Sequence, residues 1–545
     1  MDCCDNSEHS RRTVIKTIGG TGALLALAGC MGDTDDNGDS QYIAALGDEP
    51  TTLDMHNASR QPEVEVLQMV HEPLFLFNPD QEPVPHLVDE YEAEPEEGEY
   101  TFWLKEGIEF HNGEELTSDV AKWSLERFTD ENLYGYYLAP TNEIETDGDY
   151  GLRFHFDGPF PRIFQILTEP TTGIVSKQAF EEAGDDYGRQ TIVGTGPYEF
   201  VEWDRGDSIT LERNEEYDHG PDWLTNTGPA NIDEFYYRII PEDSTLVQEL
   251  MTGEVNGSTY VSYSQVEEVA NHDNSEIVEE TYTYKALLSI NTQKEPTDDL
   301  DVRKAINYAI DKDAVVNVAI NGQGGPLWSM TPPNARFGMS ESEAREKGIE
   351  YDPDSARSKL EEAGWTNDVE GEVRSKDGED LSLEFFSFTI EQYALMAETI
   401  EPMLRDVGFD VNLEVLESGN LYDRLEGAEH NITTMAGGGN DAIDAMENLL
   451  HGDNDAREGG GNFSIWLNDE FDSRIDEAKV EPDVDRQEEL LIEAQEIVLE
   501  EFPVAPLLTE NELYGHETQV QGIDEWTSHP WWPEIYLSRA LELDI

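Results

Sequence analysis

The sequence predicts an α/β protein built from two or more lobes. From about Tyr42 onward, short strands with alternating apolar residues and amphipathic helices follow one another without a long low-complexity interruption. The chain has 545 residues, and single hydrophobic cores stop growing at about 250–300 residues. Because 37% of the residues are hydrophobic and 10% aromatic, there are enough apolar side chains to fill several cores.

The individual strands and helices are predicted from the spacing of apolar residues and from the residues that begin or end each element. The two-residue period of half-buried strands occurs in 100–104, 152–156, 209–211, 235–239 and 411–415. Asp352 is the predicted cap of a helix that Pro353 opens and Gly364 ends. Further helices are predicted at 302–310 and at 485–501, the latter stopped by Pro503.

The chain is strongly acidic, with 120 Asp and Glu against 33 Lys and Arg and a formal charge of −87. Nucleic-acid binding needs a basic surface, so that class of function is excluded. The acids are spread along the whole chain, which fits a solvent of very high salt, where charges are screened within about 3 Å at 1 M. We therefore expect an extreme halophile, an archaeon, and a fold that is lost reversibly when salt is removed.

The first thirty residues have the pattern of an export signal. Arg11 and Arg12 precede an apolar run that is too short to span a bilayer, as in a twin-arginine signal. The run ends at Cys30 in the pattern Leu-Ala-Gly-Cys, which resembles a lipobox. Cys3 and Cys4 lie before the predicted cut, so the mature chain has one cysteine, which carries lipid and forms no disulfide.

An acidic tether at 30–41 should connect the lipid to the folded body. Its segment 33–38 begins like a calcium loop, but Ala44 stands where the closing Glu of such a loop belongs. We therefore expect no metal site there, and the sequence indicates no cofactor.

One block carries a family resemblance. Residues 100–127 read as a strand, a turn at Asn112-Gly113 and a helix capped near Thr117 or Ser118. Upstream stand Leu53-Asp54-Met55-His56 and His71-Glu72-Pro73-Leu74-Phe75. Downstream follow, in order, Val193-Gly194-Thr195-Gly196-Pro197-Tyr198, Leu211-Glu212-Arg213-Asn214, Tyr217, Gly253-Glu254-Val255-Asn256, 301–311, 351–365 and 502–507. This set resembles the extracellular solute-binding proteins of family 5, the dipeptide, oligopeptide and nickel receptors of ABC importers.

The resemblance implies a two-lobed periplasmic-binding-protein-like fold of type II, in the large form with an extra subdomain in the first lobe. The expected boundaries are 1–29 for the signal, 30–41 for the tether, 42–283 plus 508–545 for lobe I, about 76–188 for the extra subdomain and 284–507 for lobe II. Signature residues such as His111, Gly113, Gly196 and Gly364 are interpreted as structural, with the glycines supplying backbone freedom.

The resemblance also implies which residues bind the solute. Peptide receptors of the family have a segment similar to GW-x-x-D-x-x-DP, and here Asp441 falls at the position that binds an α-ammonium, with Asp444 opening the last element. Gly438 replaces the tryptophan and Ala445 the proline, so a wider pocket is expected. Asp441, Asp444, Gly438 and Gly439 are the candidate ligand contacts, and no matching arginine for a peptide carboxylate is apparent.

The predicted function is a non-enzymatic receptor on the outer face of the cell membrane. It is expected to be exported, held by lipid alone, monomeric, and to deliver a small or peptide solute to a permease with its ATPase subunits. Two other classes stay open on the residues alone: a secreted two-carboxylate glycosidase, because an acidic chain always contains candidate pairs, and a structural envelope protein. Motifs of serine, zinc and phosphate-loop enzymes are absent from the sequence.

Overall fold

Strands and helices alternate through the described part of the chain, as the sequence predicts. The structure is a computed structural model that describes residues 40–79, 81–367, 372–439, 441–523 and 541–543. The signal at 1–29, with Arg11, Arg12 and Cys30, lies outside the described residues, as does nearly all of the tether at 30–41.

The helices are named in chain order. They are α1 (Gln61–Leu67), α2 (Ser118–Glu131), α3 (Ile163–Ile166), α4 (Lys177–Ala183), α5 (Asp243–Thr252), α6 (Val266–Ala270), α7 (Leu300–Ala309), α8 (Lys312–Ala319), α9 (Glu341–Lys347), α10 (Pro353–Glu362), α11 (Glu391–Val407), α12 (Ser418–Glu426), α13 (Ala442–Leu450), α14 (Asp469–Val480) and α15 (Val484–Glu501).

The strands are named in the same way. They are β1 (Gln41–Leu46), β2 (Phe75–Phe77), β3 (Pro83–Pro85), β4 (Val88–Glu94), β5 (Glu99–Leu104), β6 (Glu143–Asp147), β7 (Gly151–His155), β8 (Tyr198–Asp204), β9 (Ser208–Arg213), β10 (Glu234–Ile239), β11 (Gly257–Ser258), β12 (Ser275–Ile290), β13 (Gly324–Pro326), β14 (Ser375–Lys376), β15 (Glu379–Asp380), β16 (Ser382–Phe388), β17 (Asp410–Leu416), β18 (Ile432–Gly437), β19 (Val504–Glu517), β20 (Val520–Gln521) and β21 (Glu542–Leu543).

Two long antiparallel strands, β12 and β19, join the two ends of the main sheet. Its order is β17-β16-β18-β12-β19-β11-β1-β10-β9-β8, with β13 paired to β19. One end of β12 pairs with β18, while the far end of β19 pairs with β11. The β12–β19 register is irregular between Thr281 and Lys285, so the two strands change their pairing near the middle of the sheet.

A separate four-stranded antiparallel sheet, β4-β5-β7-β6, holds the signature block. Its buried side chains, with those of α2 and α3, form a hydrophobic cluster between residues 74 and 174 that we call the four-strand core. A second cluster around β1, β9 and β10 is the N-terminal core. A third, between residues 286 and 508, is the C-terminal core and includes α7, α11, α13 and α15.

The local predictions agree with the structure to within one or two residues at element ends. Asp352 caps α10 by accepting from the backbone N–H groups of Asp354 and Ser355, both at 3.1 Å. Gly113 and Gly364 have the positive φ that favours glycine. Gly196 does not need a positive φ; a Cβ there would lie 2.6 Å from the Met69 carbonyl oxygen, so close approach explains this glycine.

Candidate functional site

The predicted contact Asp441 is the N-cap of α13. It follows the loop after β18, and its carboxylate accepts the backbone N–H groups of Ile443 at 2.8 Å and Asp444 at 3.1 Å. Such capping satisfies amide groups that a helix leaves unpaired at its start. Only 1% of Asp441 is exposed. The carboxylate therefore already has a structural task in this conformation.

The charge of Asp441 is tuned by its surroundings. Burial raises the pKa of this carboxyl above its ordinary value, and the neighbouring charge of Asp444 raises it further. The guanidinium groups of Arg162 and Arg336 act in the opposite direction. Arg336 also fixes the helix start through its backbone, because its carbonyl oxygen accepts from Ala442 N at 3.0 Å.

Arg162 lies directly against this helix start. It forms an ion pair with Asp444, and a second nitrogen lies 3.7 Å from Glu447 Oε2. The side chains of Arg162 and Asp444 are only 11% and 15% exposed. Arg162 directly precedes α3, which packs in the four-strand core, whereas α13 packs in the C-terminal core. The ion pair therefore joins two cores across residues that are 282 positions apart in sequence.

The glycine run before Asp441 is shaped by close packing. A Cβ on Gly439 would lie 2.6 Å from Asp444 Cβ and 2.9 Å from Ala445 N, so any larger residue would displace the helix start. The Gly439 carbonyl oxygen also accepts from Thr283 Oγ1 at 3.1 Å. Gly438 is half-buried in the same loop. Packing thus accounts for Gly439, while a ligand contact by Gly438 or Gly439 stays a prediction.

Lys285 is a member of this site that sequence reasoning missed. Its β12 position pairs with Gly437 of β18, its exposure is 0%, and its Nζ has no hydrogen-bond partner among the described residues. Burial lowers the pKa of Lys285 to about 7, and the charge of Asp444 acts against that shift. The only sequence signal was a lysine at the head of the apolar run 286–288.

Aromatic surface near Asp444 comes from a different element than the family pattern suggests. Tyr136 and Tyr137 have ring centroids 4.5 Å apart, and Tyr136 is 62% exposed. Burial raises the pKa of Tyr137, and the charge of Asp444 contributes to that shift. These rings therefore lie within electrostatic range of the Asp444 carboxylate, on a segment other than the one in the family pattern.

One group of residues has the composition of a metal site. Ligand atoms of Glu72, His86 and His219 all lie within 4.8 Å of one another among the described residues. Glu72 Oε1 accepts from His86 Nε2 at 2.8 Å and Tyr217 OH at 2.6 Å, and Oε2 accepts from His219 Nε2 and Thr195 Oγ1, both at 2.9 Å. Burial acts to raise the pKa of Glu72, but the two histidines hold it well below its usual range.

This arrangement is a saturated hydrogen-bond cluster that joins several signature segments. Other landmarks are tied together in a similar way. Arg127 of the signature helix donates to Asp54 Oδ1 at 2.8 Å, and His111 Nε2 lies 2.9 Å from the Gly196 carbonyl oxygen. The structural interpretation of His111 agrees with this contact.

In the described part of the chain, no helix combines the length and apolar character needed to cross a membrane.

Comparison with known proteins gives a consistent result. The glutathione-binding protein GsiB of Salmonella paratyphi A is 25% identical over 510 residues, covering 92% of this chain and 95% of that protein. The solved structure of HbpA2 from Haemophilus parasuis superposes with a TM-score of 0.80 at 19% identity, over 93% of this chain and 100% of that one. DppA from Helicobacter pylori, in complex with the peptide STSA, gives 0.72 at 24% identity, over 93% and 99%.

These superpositions confirm the predicted α/β fold of the two-lobed periplasmic binding proteins. The sequence profile of the family described as "Bacterial extracellular solute-binding proteins, family 5 Middle" matches residues 82–457, well over half of the chain. Proteins of this kind are transport receptors rather than enzymes, which disfavours the glycosidase and envelope alternatives. The chain therefore belongs to the extracellular solute-binding proteins of family 5.

Proposed function

We propose that this protein is a lipid-anchored receptor that captures a peptide-like solute between two lobes and delivers it to an ABC permease. The observation that carries the proposal is the buried contact of Arg162 with Asp444, which joins the four-strand core to the C-terminal core beside Asp441. A receptor that closes around its solute needs such a contact between its closing parts.

The solute class is supported by the relatives. GsiB is named as glutathione-binding, and the DppA structure contains a peptide. Peptides carry an α-ammonium, and a buried ammonium needs a paired carboxylate because an unpaired buried charge is costly. Asp441 and Asp444 supply two carboxylates at the start of α13.

The existing contacts of these two carboxylates limit how a solute ammonium can bind to them. Asp441 keeps its two backbone hydrogen bonds and offers its remaining lone pairs, since a carboxylate has about four acceptor positions. Asp444 is paired with Arg162, so an incoming ammonium shares or replaces that guanidinium. Tyr136 and Tyr137 are the proposed aromatic wall, and the half-buried Gly438 leaves that wall to them because it carries no side chain.

The mechanism is capture without covalent chemistry. The open form binds solute, closure brings Arg162 and Asp444 together, and the closed shape docks on the permease. The lobes are proposed to be 42–283 plus 508–545 and 284–507, with an extra subdomain at about 76–188. We assign the long strands β12 and β19 of the main sheet as the connections between these proposed lobes.

The location follows from the N-terminal signal. The twin arginines Arg11 and Arg12 and the lipid acceptor Cys30 are proposals that rest on the sequence. A lipid and an acidic tether at 30–41 would keep a monomeric receptor close to its transporter and raise its effective concentration there. The charge of −87 supports a habitat of very high salt.

Binding of dialanine and N-acetyl-dialanine tests the ammonium site, because acetylation removes only the charge. Calorimetry at molar salt should show that dialanine binds at least about tenfold more tightly, since hydrogen bonds to charged groups contribute about 1.5–3 kcal/mol. Asp441→Asn should abolish this preference while keeping the helix cap. Asp441→Ala is a poorer test, because losing the cap alone costs about 0.5–2 kcal/mol.

Asp352→Asn is the matched control, because Asp352 caps the exposed start of α10 in the same geometry. It should leave binding unchanged. Equal binding of both dipeptides by the unaltered protein, or an unchanged preference in Asp441→Asn, would remove Asp441 from the site. Hydrolysis of the dipeptide during the measurement would contradict the receptor function itself.

A further inference from the structure

A cavity of about 460 Å³, whose lining does not include the Asp441 loop, lies between parts of different cores. Its lining includes the loop from Thr259 to Ser264, the first turn of α11, and residues 510–513 of β19. Val261 packs in a small cluster with α5 and α6, whereas α11 packs in the C-terminal core. The cavity is thus bordered by segments that belong to separate hydrophobic cores.

The walls of this cavity combine apolar side chains with neutral polar groups, and the charged side chains that line it are all acidic. Val261, Leu395 and Leu513 contribute aliphatic surface, and Tyr263 contributes a ring. Pockets of about 300–1,000 Å³ with such a lining are typical of sites for small organic molecules. A bare metal ion would need six to eight oxygen ligands close together rather than apolar walls.

Glu512 is one of three acidic residues in this lining. Both of its carboxylate oxygens are shielded from solvent and accept no hydrogen bond from the described residues, although the residue as a whole is partly exposed. By contrast, Glu510 accepts from Tyr263 OH at 2.6 Å and from Gln392 Nε2 at 3.1 Å. Glu512 is therefore a buried hydrogen-bonding group whose partner is missing, and it lines the cavity.

The groups that face Glu512 are acidic as well. Glu65 lies on α1, is 1% exposed and accepts from Thr259 Oγ1 at 2.9 Å, while Glu280 pairs with Glu512 in the β12–β19 register. Burial raises the pKa of Glu65 to about 8. Burial also raises the pKa of Glu512 well above its ordinary value, and the charges of Glu65 and Glu280 raise the pKa of Glu512 further. Glu391 of α11 completes the acidic lining.

Gathering several carboxylates in a partly apolar cavity is unfavourable unless protons or a cation neutralise them. We propose that this cavity binds an ammonium or guanidinium group of an organic solute, with Glu512 as its main counter-ion. The inference rests on the proposed receptor function and narrows its solute class. The preferred peptide-like solutes carry a second cationic group, of the lysine or arginine type, in addition to the α-ammonium.

Alanyl-arginine and alanyl-citrulline form the test pair, because citrulline replaces the guanidinium with a neutral urea of nearly the same shape. Calorimetry at molar salt should give about tenfold to hundredfold tighter binding of alanyl-arginine. Glu512→Gln should bring this ratio close to one. Glu268→Gln, an exposed position on the adjacent α6, is the control and should leave the ratio unchanged.

A second readout is proton release. The pKa of about 8 leaves Glu65 protonated in part at neutral pH, and burial raises the pKa of Glu512 as well, so a bound cation should expel protons as it restores the charge of these carboxyls. The other facing groups are Glu280, Glu391 and the Glu510 carboxylate with its tyrosine and glutamine donors. Calorimetry in two buffers of different ionisation enthalpy should show more proton release with alanyl-arginine than with alanyl-citrulline.

The outcomes separate this inference from the proposed function. If both dipeptides bind equally in the unaltered protein, the receptor function stands and the cationic subsite is overturned. If neither dipeptide binds, the receptor function fails for this class of solute, and the cavity site is then tested with putrescine alone. A rise in melting temperature with putrescine that Glu512→Gln removes supports the cavity site, and an unchanged melting temperature overturns it. Stabilisation by Ca²⁺ with no preference between the dipeptides would also overturn the organic-cation assignment.

Discussion

Replacing Arg162 by methionine isolates the contact that joins the four-strand core to the C-terminal core. The change keeps an apolar stem of similar length and removes the guanidinium that pairs with Asp444 and lies 3.7 Å from Glu447. Because the pair connects separate cores rather than turns of one helix, its loss should favour an open arrangement over the closed one. The protein should therefore expand without unfolding.

The expected size follows from the burial of the pair. Breaking a buried ion pair by removing one partner costs about 3–5 kcal/mol, and the partial exposure of both side chains favours the lower value. A loss of about 3 kcal/mol from the closed form alone shifts the closed-to-open ratio by roughly a hundredfold. Apparent solute affinity falls with the closed fraction, so binding should weaken as well.

Small-angle X-ray scattering without solute should show a larger radius of gyration for Arg162→Met than for the unaltered protein. Arg345→Met is the control, because Arg345 pairs with Glu350 in an exposed position where ion pairs contribute about 0–1 kcal/mol. Combining Arg162→Met with Asp444→Asn should add little further expansion. An unchanged radius, or fully additive effects of the two substitutions, would refute the role given to this pair.

Three further predictions follow from the same region and from composition. Lys285→Met should raise the free energy of unfolding, measured with denaturant, by up to about 5 kcal/mol at pH 6 and by little at pH 10. The reason is the lowered pKa of Lys285, because of which the unfolded chain binds more protons than the folded one between about pH 7 and 10. A gain that does not depend on pH would contradict this reasoning. Gly439→Ala should weaken dialanine binding in calorimetry. Gly437→Ala is the control and should not weaken it, because the new Cβ would lie 3.7 Å from its nearest neighbour. Equal effects of the two substitutions would argue against close packing at Gly439. Circular dichroism should show reversible loss of structure on dilution from molar to millimolar salt, and an unchanged melting curve would count against a halophilic fold.

The sequence was sufficient for the elements and the family because those depend on local patterns. The cap at Asp352, the turn at Gly113 and the strands of the signature block are each determined by neighbouring residues. The ordered landmarks then led to the family, which the profile match shows, while the superposition shows the fold. Local periodicity was reliable because the buried faces of these elements repeat at fixed spacing.

The partners in the site were beyond the reach of the sequence. Nothing near Arg162 indicates that it meets Asp444, since the pairing depends on how two cores lie against each other. The sequence also marked Asp441 as a ligand contact without showing that its carboxylate caps its own helix. In a chain with 120 acidic residues, no composition argument separates Glu512 from the solvated carboxylates; only its shielded position does.

Gly438 stands where the family pattern has tryptophan, so this position offers no ring for stacking. The structure places Tyr136 and Tyr137 near Asp444, so an aromatic surface is supplied from a segment about 300 positions earlier in the chain. Such substitutions across distant segments are visible only after folding, because they preserve a surface rather than a sequence position.

The central claim is that this protein binds a peptide-like solute and does not transform it. Thermal unfolding at molar salt, with dialanine, alanyl-arginine and glutathione and with the solutes analysed afterwards, tests it most directly. At 100 times its dissociation constant, a true solute should add about 2.7 kcal/mol of stability and be recovered intact. Absence of stabilisation by every one of these solutes, or recovery of cleaved products, would contradict the account.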